Sequence, residues 1–279
     1  MIKKYCILAF VTFLGGSLIA NQPPQKSITG NSSGYRKVCQ EAALDDAVFE
    51  KFRSIPSYFH AVECGQQGEL ADYLKKHATK KTLSLIPKFR KLDSYGQPSR
   101  YPLPRFGAFS GTALKYVLVA DHIHRLFKLP ENYSVAEIGA GFGGQAYMLS
   151  VLAPFSKYYI YDLPEVEMLI EKMMSKLNVS NVNCLDAYAQ LPVDAVDLFI
   201  SNYAFSECDR ITQLDYFNRV IIKSKRGYML FNSISSFDHL SVTEFIELLQ
   251  EHGINPKIHA EPVFSYTNNV LITWDRTRQ

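Results

Sequence analysis

The sequence predicts an α/β fold in which a mostly parallel sheet of seven strands is flanked by helices and ends in a reversed strand. Between residues 134 and 231, short β-branched and aromatic runs alternate with segments of helical periodicity, a pattern typical of βαβ units. The last two strand-like runs, 257–263 and 269–274, have no helix between them, so they are expected to pair antiparallel. The 279 residues, 47% of them hydrophobic, are enough to bury such a core.

The individual elements follow from the periodicity. Five strands precede the final pair, at 134–138, 158–161, 182–185, 196–201 and 227–231. Helices are predicted between them at 145–152, 165–177 and 213–222. A capping box, Ser241-Val-Thr-Glu244, begins one more helix that ends near His252. Upstream, helical spacing predicts two or three helices between Tyr35 and Leu74 and an amphipathic helix over 112–127.

The chain divides into four regions. Residues 1–20 carry two lysines and then an apolar run that ends in small residues, which is typical of a secretory leader, either cleaved or kept as a signal anchor. Residues 21–34 are rich in Pro, Gln, Asn, Ser and Gly and predict a flexible linker. A helical cap is expected over 35–130. It contains a lid-like loop at 93–111, where three prolines and three glycines exclude long regular structure. The main domain is predicted to span 131–279.

Charge and cysteine content limit the classes of partner. A net charge of +3, from 30 basic and 27 acidic residues, gives no reason to expect nucleic acid. The expected partner is a small-molecule or glycan substrate, with membrane contact only through residues 1–20 if they are retained. The five cysteines form no C-x-x-C pair and no zinc-type spacing with histidine, so no metal is predicted.

A glycine loop follows the first strand of the main domain. The strand runs directly into Gly139-Ala-Gly141-Phe-Gly143-Gly144, and a helix is predicted from residue 145. Glycines let the chain turn sharply and present backbone N–H groups to a ligand at a helix N-terminus. The spelling fits both G-x-G-x-G and G-x-G-x-x-G. Gly139, Gly141 and Gly143 therefore predict a cofactor site without choosing the cofactor.

Three acidic residues favour S-adenosylmethionine (SAM). Glu137, two residues before the loop, is expected at the strand end, where a carboxylate would face the ammonium of the methionine part of SAM but repel a pyrophosphate. Asp162, followed by Leu163, ends the second strand and is expected to accept both ribose hydroxyls, a role shared with NAD. Asp186, followed by Ala187, is expected near the adenine amino group, with capping of the next turn as the alternative. The reversed last strand also favours a Rossmann-like SAM methyltransferase core.

These residues resemble a family of sugar O-methyltransferases found in bacterial polysaccharide gene contexts. The resemblance covers roughly residues 93–233. Three motifs carry most of it: Glu137-Ile-Gly-Ala-Gly-Phe-Gly-Gly144, Tyr161-Asp-Leu-Pro-Glu165 and Asp197-Leu-Phe-Ile-Ser-Asn-Tyr-Ala-Phe-Ser-Glu207. It implies SAM as the cofactor and a sugar or glycan hydroxyl as the methyl acceptor.

Methyl transfer to a hydroxyl requires a group that removes the hydroxyl proton. The segment after the fourth strand places Asn202 near the sulfonium of SAM and Glu207 one short turn away. Glu207 is the first candidate base, and its alternative role is to hold this loop in place. His239, just before the capping box, is the second candidate, and a surface histidine is its alternative. Asn202 is a candidate both for cofactor binding and for catalysis, and Asn232 at the end of the fifth strand is expected to orient substrate.

Two other functions fit parts of this pattern. An NAD-dependent oxidoreductase would use the same glycines and Asp162, but Glu137 and the reversed last strand oppose it. An exported, non-catalytic binding protein that kept the fold is suggested by the leader. The location is equally open, because the leader indicates export or membrane anchoring, whereas SAM is a cytosolic metabolite.

Overall fold

A computed structural model describes residues 26–263 and 268–278. Within these ranges the chain forms a helical cap followed by a seven-stranded sheet with helices on both faces. The predicted leader and residues 21–25 of the predicted linker lie outside the described residues. None of the helices in the described ranges is long and apolar enough to cross a membrane.

The cap consists of short helices joined by tight turns. They are α1 (Ser33–Leu44), α2 (Asp46–Phe49), α3 (Pro56–Val62), α4 (Gln67–His77), α5 (Lys80–Ser84) and α6 (Ile86–Phe89), with 3₁₀ turns at Phe52–Ser54 and Arg90–Ser94. Helix α1 packs along the helix over Pro164–Leu177, and Arg36 pairs with Glu165 across that contact at 2.6 Å. The cap is therefore attached directly to the sheet domain.

A buried arginine ties the cap to the core. Arg53 is fully buried and bonds Glu63 at 2.6 Å, Asp93 at 2.9 Å and the Ser110 hydroxyl at 2.9 Å. Its guanidinium lies 4.5 Å from the ring centroid of Phe142 in the glycine loop. One cation thus joins the cap, the 93–111 segment and the loop. Its removal would leave two buried carboxylates without their cationic partner.

The 93–111 segment contains a short hairpin. Strands β1 (Tyr101–Leu103) and β2 (Gly107–Phe109) pair antiparallel, which agrees with the expectation that long regular structure is excluded there. Helix α7 (Gly111–Leu126) follows, and the Ser110 side chain caps it. The prediction of an amphipathic helix is wrong for α7: every residue from Gly111 to Asp121 is buried, because both α4 of the cap and the helix over Gly144–Leu152 pack against it.

The main sheet has the predicted seven strands. They are β3 (Ser134–Ile138), β4 (Lys157–Tyr161), β5 (Val182–Leu185), β6 (Leu198–Asn202), β7 (Arg226–Phe231), β8 (Lys257–Ala260) and β9 (Val270–Asp275). Their spatial order is β5-β4-β3-β6-β7-β9-β8. Strand β9 is antiparallel to both of its neighbours, and the other adjacent strands of this sheet run parallel. The predicted α/β fold, a mostly parallel sheet of seven strands with a reversed last strand, is confirmed.

Helices cover both faces of this sheet. They are α8 (Gly144–Leu152), α9 (Pro164–Leu177), α10 (Arg210–Arg219) and α11 (Val242–Glu251). One apolar cluster joins the cap, α7, α8 and α9 to one face, and a second joins α10 and α11 to the other. Burial on both faces explains why β7, whose six residues are all buried, carries no charged residue from Gly227 to Phe231. The predicted capping box of α11 is present at Ser241 and Glu244.

Candidate functional site

A cavity of about 150 Å³ lies at the carboxyl ends of β3, β4 and β6. The strand order reverses at β3, because β4 and β5 lie on one side of it and β6 and β7 lie on the other. Open α/β sheets bind ligands at such a position. A smaller cavity of about 50 Å³ shares part of its lining. Both cavities are lined by Thr29, Gly139, Asp162 and Ala204.

Part of the glycine loop lines the larger cavity. Gly139, Gly141 and Gly143 have φ values of 72°, 61° and 80°, a region that favours glycine. A Cβ atom on Gly139 would lie 1.9 Å from the Cβ of Ala204. Gly139 and Gly141 face the cavity, whereas Gly143 caps α8 and packs against Met174 of α9. Two glycines thus shape the cavity, and the third serves helix packing.

Asp162 faces both cavities from the end of β4. Its carboxylate accepts hydrogen bonds from the backbone N–H groups of Ala140 at 2.8 Å, Gly141 at 3.2 Å and Leu163 at 2.8 Å. Loss of hydration raises the pKa of Asp162 to about 6, against the opposing effect of the bonds from Leu163, Gly141 and Ala140. Leu163 itself lines the smaller cavity. The structure therefore places an acid beside the glycine loop, where a diol could bind.

Glu137 does not reach either cavity. It is fully buried on the sheet face that packs against the cap side, and it accepts a hydrogen bond from the Tyr158 hydroxyl at 2.8 Å. Burial raises the pKa of Glu137 to about 8, although the bond from Tyr158 acts in the opposite direction. An enclosed carboxyl whose pKa is raised by burial differs from the carboxylate that was expected to face an ammonium group.

Asp186 and Ala187 also lie outside the two cavity linings. Asp186 is exposed, and its side chain accepts a hydrogen bond from the backbone N–H of Tyr188 at 2.9 Å. The carbonyl of Ala187 accepts a bond from Arg219 at 2.7 Å. These contacts correspond to the turn-capping alternative for Asp186. Its role near an adenine ring stays a prediction.

Asn202 and Glu207 both line the larger cavity. The Asn202 amide nitrogen lies 3.4 Å from the Gln145 side-chain oxygen, while its own Oδ1 is buried and has no hydrogen-bond partner among the described residues. Glu207 ends a 3₁₀ turn and accepts a bond from the Asn232 amide at 2.8 Å. Burial raises the pKa of Glu207, and the bond from Asn232 opposes that rise. A carboxyl with a raised pKa, held by an amide at a cavity wall, has the properties of a general base.

His239 is not brought to the cavity. Its Nδ1 lies 2.8 Å from the carbonyl oxygen of Phe237 in the segment before α11, and the histidine is absent from both linings. Asn232, in contrast, has a position that supports Glu207. Of the two candidate bases, the structure places only Glu207 at the cavity.

The residues predicted as a flexible linker form part of the site instead. The N–H of Ile28 donates to the carbonyl of Glu207 at 3.2 Å, and the carbonyl of Lys26 accepts from the N–H of Asp209 at 2.9 Å. Thr29 lines both cavities. Residues 26–29, the strap, therefore run across the site paired to the turn that carries Glu207. The linker prediction is wrong for residues 26–34, because backbone pairing and the start of α1 at Ser33 order them without a large apolar content.

The 93–111 loop does not cover the cavity, although it was expected to be lid-like. The lining residues that the sequence did not indicate come from the strap, the cap and α7: Thr29, Tyr35, Ala61, Val62, Cys64, Thr112, Lys115 and Tyr116. Lys115 had a detectable signal, because it is the one charged residue between Gly111 and Ala120 in an otherwise mostly apolar helix. Within residues 26–263 and 268–278, no group of three or more His, Cys, Asp or Glu side chains is arranged to hold a metal ion.

No protein-family model matches the chain, and no curated protein sequence matches it. Solved structures with a similar fold include a SAM-dependent methyltransferase from Aquifex aeolicus, 18% identical, covering 68% of this chain and 97% of that chain with a TM-score of 0.42. Precorrin-6y C5,15-methyltransferase from Geobacter metallireducens is 16% identical over 59% of this chain and 89% of its own, with a TM-score of 0.42.

An O-methyltransferase family protein from Burkholderia thailandensis is 13% identical over 58% of this chain and 57% of its own, with a TM-score of 0.43. At these scores and identities the similarities carry no inference about a ligand or a substrate. That inference depends on the geometry of the chain's own cavity.

Proposed function

We propose that the chain is a SAM-dependent methyltransferase that methylates a hydroxyl group of a sugar or glycan. The observation that carries the proposal is one cavity at the switch point of the sheet, lined together by Gly139, Gly141, Asp162, Asn202 and Glu207. The transfer needs three elements, and each has a candidate here. The glycine backbone allows the cofactor to approach closely, Asp162 can bind the ribose diol, and Glu207 can act as the base. The sugar as acceptor rests on the sequence resemblance alone.

The groups around the cavity fit the parts of SAM. The backbone at Gly139 and Gly141, which carries no side chain, allows close approach of a ligand. Asp162 would accept the ribose hydroxyls. The buried Oδ1 of Asn202, which lacks a hydrogen-bond partner among the described residues, would accept from the ammonium of the methionine part. Asn202 thereby takes the role that the sequence assigned to Glu137.

When bound, SAM supplies a methyl group that is activated by a positively charged sulfur. Residues of the cavity wall would position the acceptor hydroxyl beside this methyl group and exclude water. Glu207 would accept the hydroxyl proton as the methyl group is transferred to the oxygen, and the demethylated cofactor would leave as the other product. Asn232 holds Glu207 by its amide N–H at 2.8 Å and favours the ionised form that accepts this proton.

Calorimetric titration with S-adenosylhomocysteine (SAH) and with NADH tests the cofactor. We expect SAH to bind and NADH not to bind. Binding of NADH without SAH would instead support an oxidoreductase, and binding of neither would favour the non-catalytic alternative. For that alternative, mass spectrometry of the native N-terminus gives a second measurement, since a mature protein that begins near Asn21 outside the cytosol would support it.

A matched pair of glycine variants ties binding to this cavity. Gly139→Ala adds a Cβ at a φ of 72°, 1.9 Å from Ala204 in the cavity wall. Gly253→Ala adds a Cβ at a φ of 71°, where nothing lies within 4 Å. The backbone strain is therefore similar, and only the first change alters the cavity. Loss of SAH binding in Gly139→Ala but not in Gly253→Ala is expected, and equal affinities would refute the assignment of the site.

A further inference from the structure

A charged cluster that the reaction scheme does not use lies against the same cavity. The Lys115 ammonium on α7 and the Tyr203 hydroxyl after β6 both bond the same carboxylate oxygen of Glu261. The ammonium also lies 5.7 Å from the centroid of the Tyr203 ring and 3.4 Å from the carbonyl oxygen of Val263. Lys115 and Tyr203 face the cavity.

The cluster is costly to build, which argues against a purely structural role. The side chains of Lys115 and Glu261 are 10% and 0% exposed, and a buried ion pair of this kind is often no more stabilising than an apolar pair of the same volume. Tyr203 has a φ of 74°, which costs a residue with a side chain about 1 to 3 kcal/mol. Two such costs at one cavity wall are typical of a functional site.

The charges near the cavity define what the cluster can bind. Among the described residues of the lining, Lys115 is the one cation. Glu207 and Asp162 contribute carboxylates, and Glu261, which is bonded to Lys115 and Tyr203, adds another. A phosphate or carboxylate brought into this space would face more negative than positive groups in a medium of low dielectric constant. Hydroxyl groups carry no such cost, because each can donate to a carboxylate and accept from an ammonium or a phenol.

We propose that Lys115, Tyr203 and Glu261 form the acceptor-binding part of the site and select acceptors that bear hydroxyl groups and no negative charge. Tyr203 and Lys115 bond the hydroxyls beside the one that is methylated, and Glu261 is a positioning residue that acts through both. This inference rests on the proposed methyltransferase function and specifies its acceptor.

The first test uses the carbohydrate fraction of the source organism, separated by anion exchange into uncharged and anionic pools. Each pool is incubated with the full chain and SAM labelled in the methyl group. We expect at least about tenfold more label in the uncharged pool, a ratio that corresponds to about 1.4 kcal/mol of discrimination. Label mainly in the anionic pool, or in neither pool although SAH binds, overturns the acceptor proposal. Failure to bind SAH is a different result and overturns the methyltransferase proposal.

Variants locate the selectivity in the cluster. Tyr203→Phe removes one hydroxyl, and Glu261→Gln removes the charge at constant shape. We expect each to raise the KM for the labelled pool by about tenfold or more, while the affinity for SAH changes by less than about twofold. The double variant Lys115→Met with Glu261→Gln leaves no unpaired buried charge, so it keeps the test valid if a single variant misfolds.

Lys225→Met is the matched control, because Lys225 pairs with Asp197 at 2.9 Å on the surface, away from the cavity lining. It should leave both KM and SAH affinity unchanged. Two results would show that the cluster only supports the fold. One is an unchanged KM in Tyr203→Phe and in the double variant; the other is a variant in which the affinity for SAH falls by the same factor as the KM for the acceptor rises.

Discussion

Glu137→Gln is expected to stabilise the protein at alkaline pH. In the unfolded chain this carboxyl titrates near its ordinary pKa of 4.5, whereas in the folded protein burial raises the pKa to about 8. Between these values the folded state binds more protons than the unfolded state, so the free energy of unfolding falls as the pH rises and levels off above about pH 8. The stabilising form of Glu137 is therefore the protonated one.

The magnitude follows from the difference between the two pKa values. At about 1.4 kcal/mol for each tenfold change in proton affinity, a shift from 4.5 to about 8 corresponds to about 5 kcal/mol, as an order of magnitude. Glutamine has the same shape, and its amide oxygen can accept the bond from Tyr158 that Glu137 now accepts at 2.8 Å. The variant removes the ionisation cost and retains that contact.

Urea unfolding at pH 5, 7 and 9 measures the effect in the protein without added ligand. We expect the variant and the parent to differ little at pH 5, and the variant to be more stable by several kcal/mol at pH 9. Glu131→Gln makes the same chemical change at an exposed position and should shift the free energy of unfolding by less than about 0.5 kcal/mol. A Glu137→Gln variant with the pH dependence of the parent would refute the reasoning.

Three further results are expected. If Glu207 is the base, kcat rises with pH through a pKa above the ordinary 4.5, and Asn232→Leu moves that rise to higher pH, because it removes the bond that favours the ionised form. If the rise of kcat occurs at the same pH in Asn232→Leu as in the parent protein, Glu207 does not have this role. Ile28→Pro removes the N–H that pairs the strap with the Glu207 turn and should speed SAH dissociation in stopped-flow measurements. An unchanged rate would show that the strap does not enclose the ligand. Arg53→Met should lower the free energy of unfolding by about 3 to 5 kcal/mol in urea titration, since it leaves the buried carboxylates of Glu63 and Asp93 without a cationic partner. A loss below about 1 kcal/mol would mean that those acids find other partners.

Local signals in the sequence were sufficient for the sheet and for the centre of the site. The periodicity of apolar residues predicted strands 134–138 and 182–185 with the bounds that the structure has. The glycine loop and Asp162 were found because both directly follow a strand, and the ends of parallel strands meet at one edge of a sheet. Glu207 was found for the same reason, since it lies one short turn after β6.

Contacts between distant parts of the chain were beyond such signals. Lys115 and Glu261 are 146 residues apart, and the predicted strand 257–263 ends at residue 260, so that Glu261 turns toward α7. The strap pairs with residues 207–209, about 180 positions further along the chain. Neither contact has a periodicity or a motif of its own.

Glu137 shows the limit most directly. The sequence was sufficient to predict that Glu137 lies in a strand and close to the glycine loop, because it stands two residues before that loop. Alternation along a strand fixes only that it shares a face with Val135. Whether that face meets a ligand or a packed helix depends on the tertiary arrangement of the helices, which buries Glu137 with Tyr158. The same arrangement leaves Asn202, whose buried Oδ1 has no hydrogen-bond partner among the described residues, in the lining of the cavity.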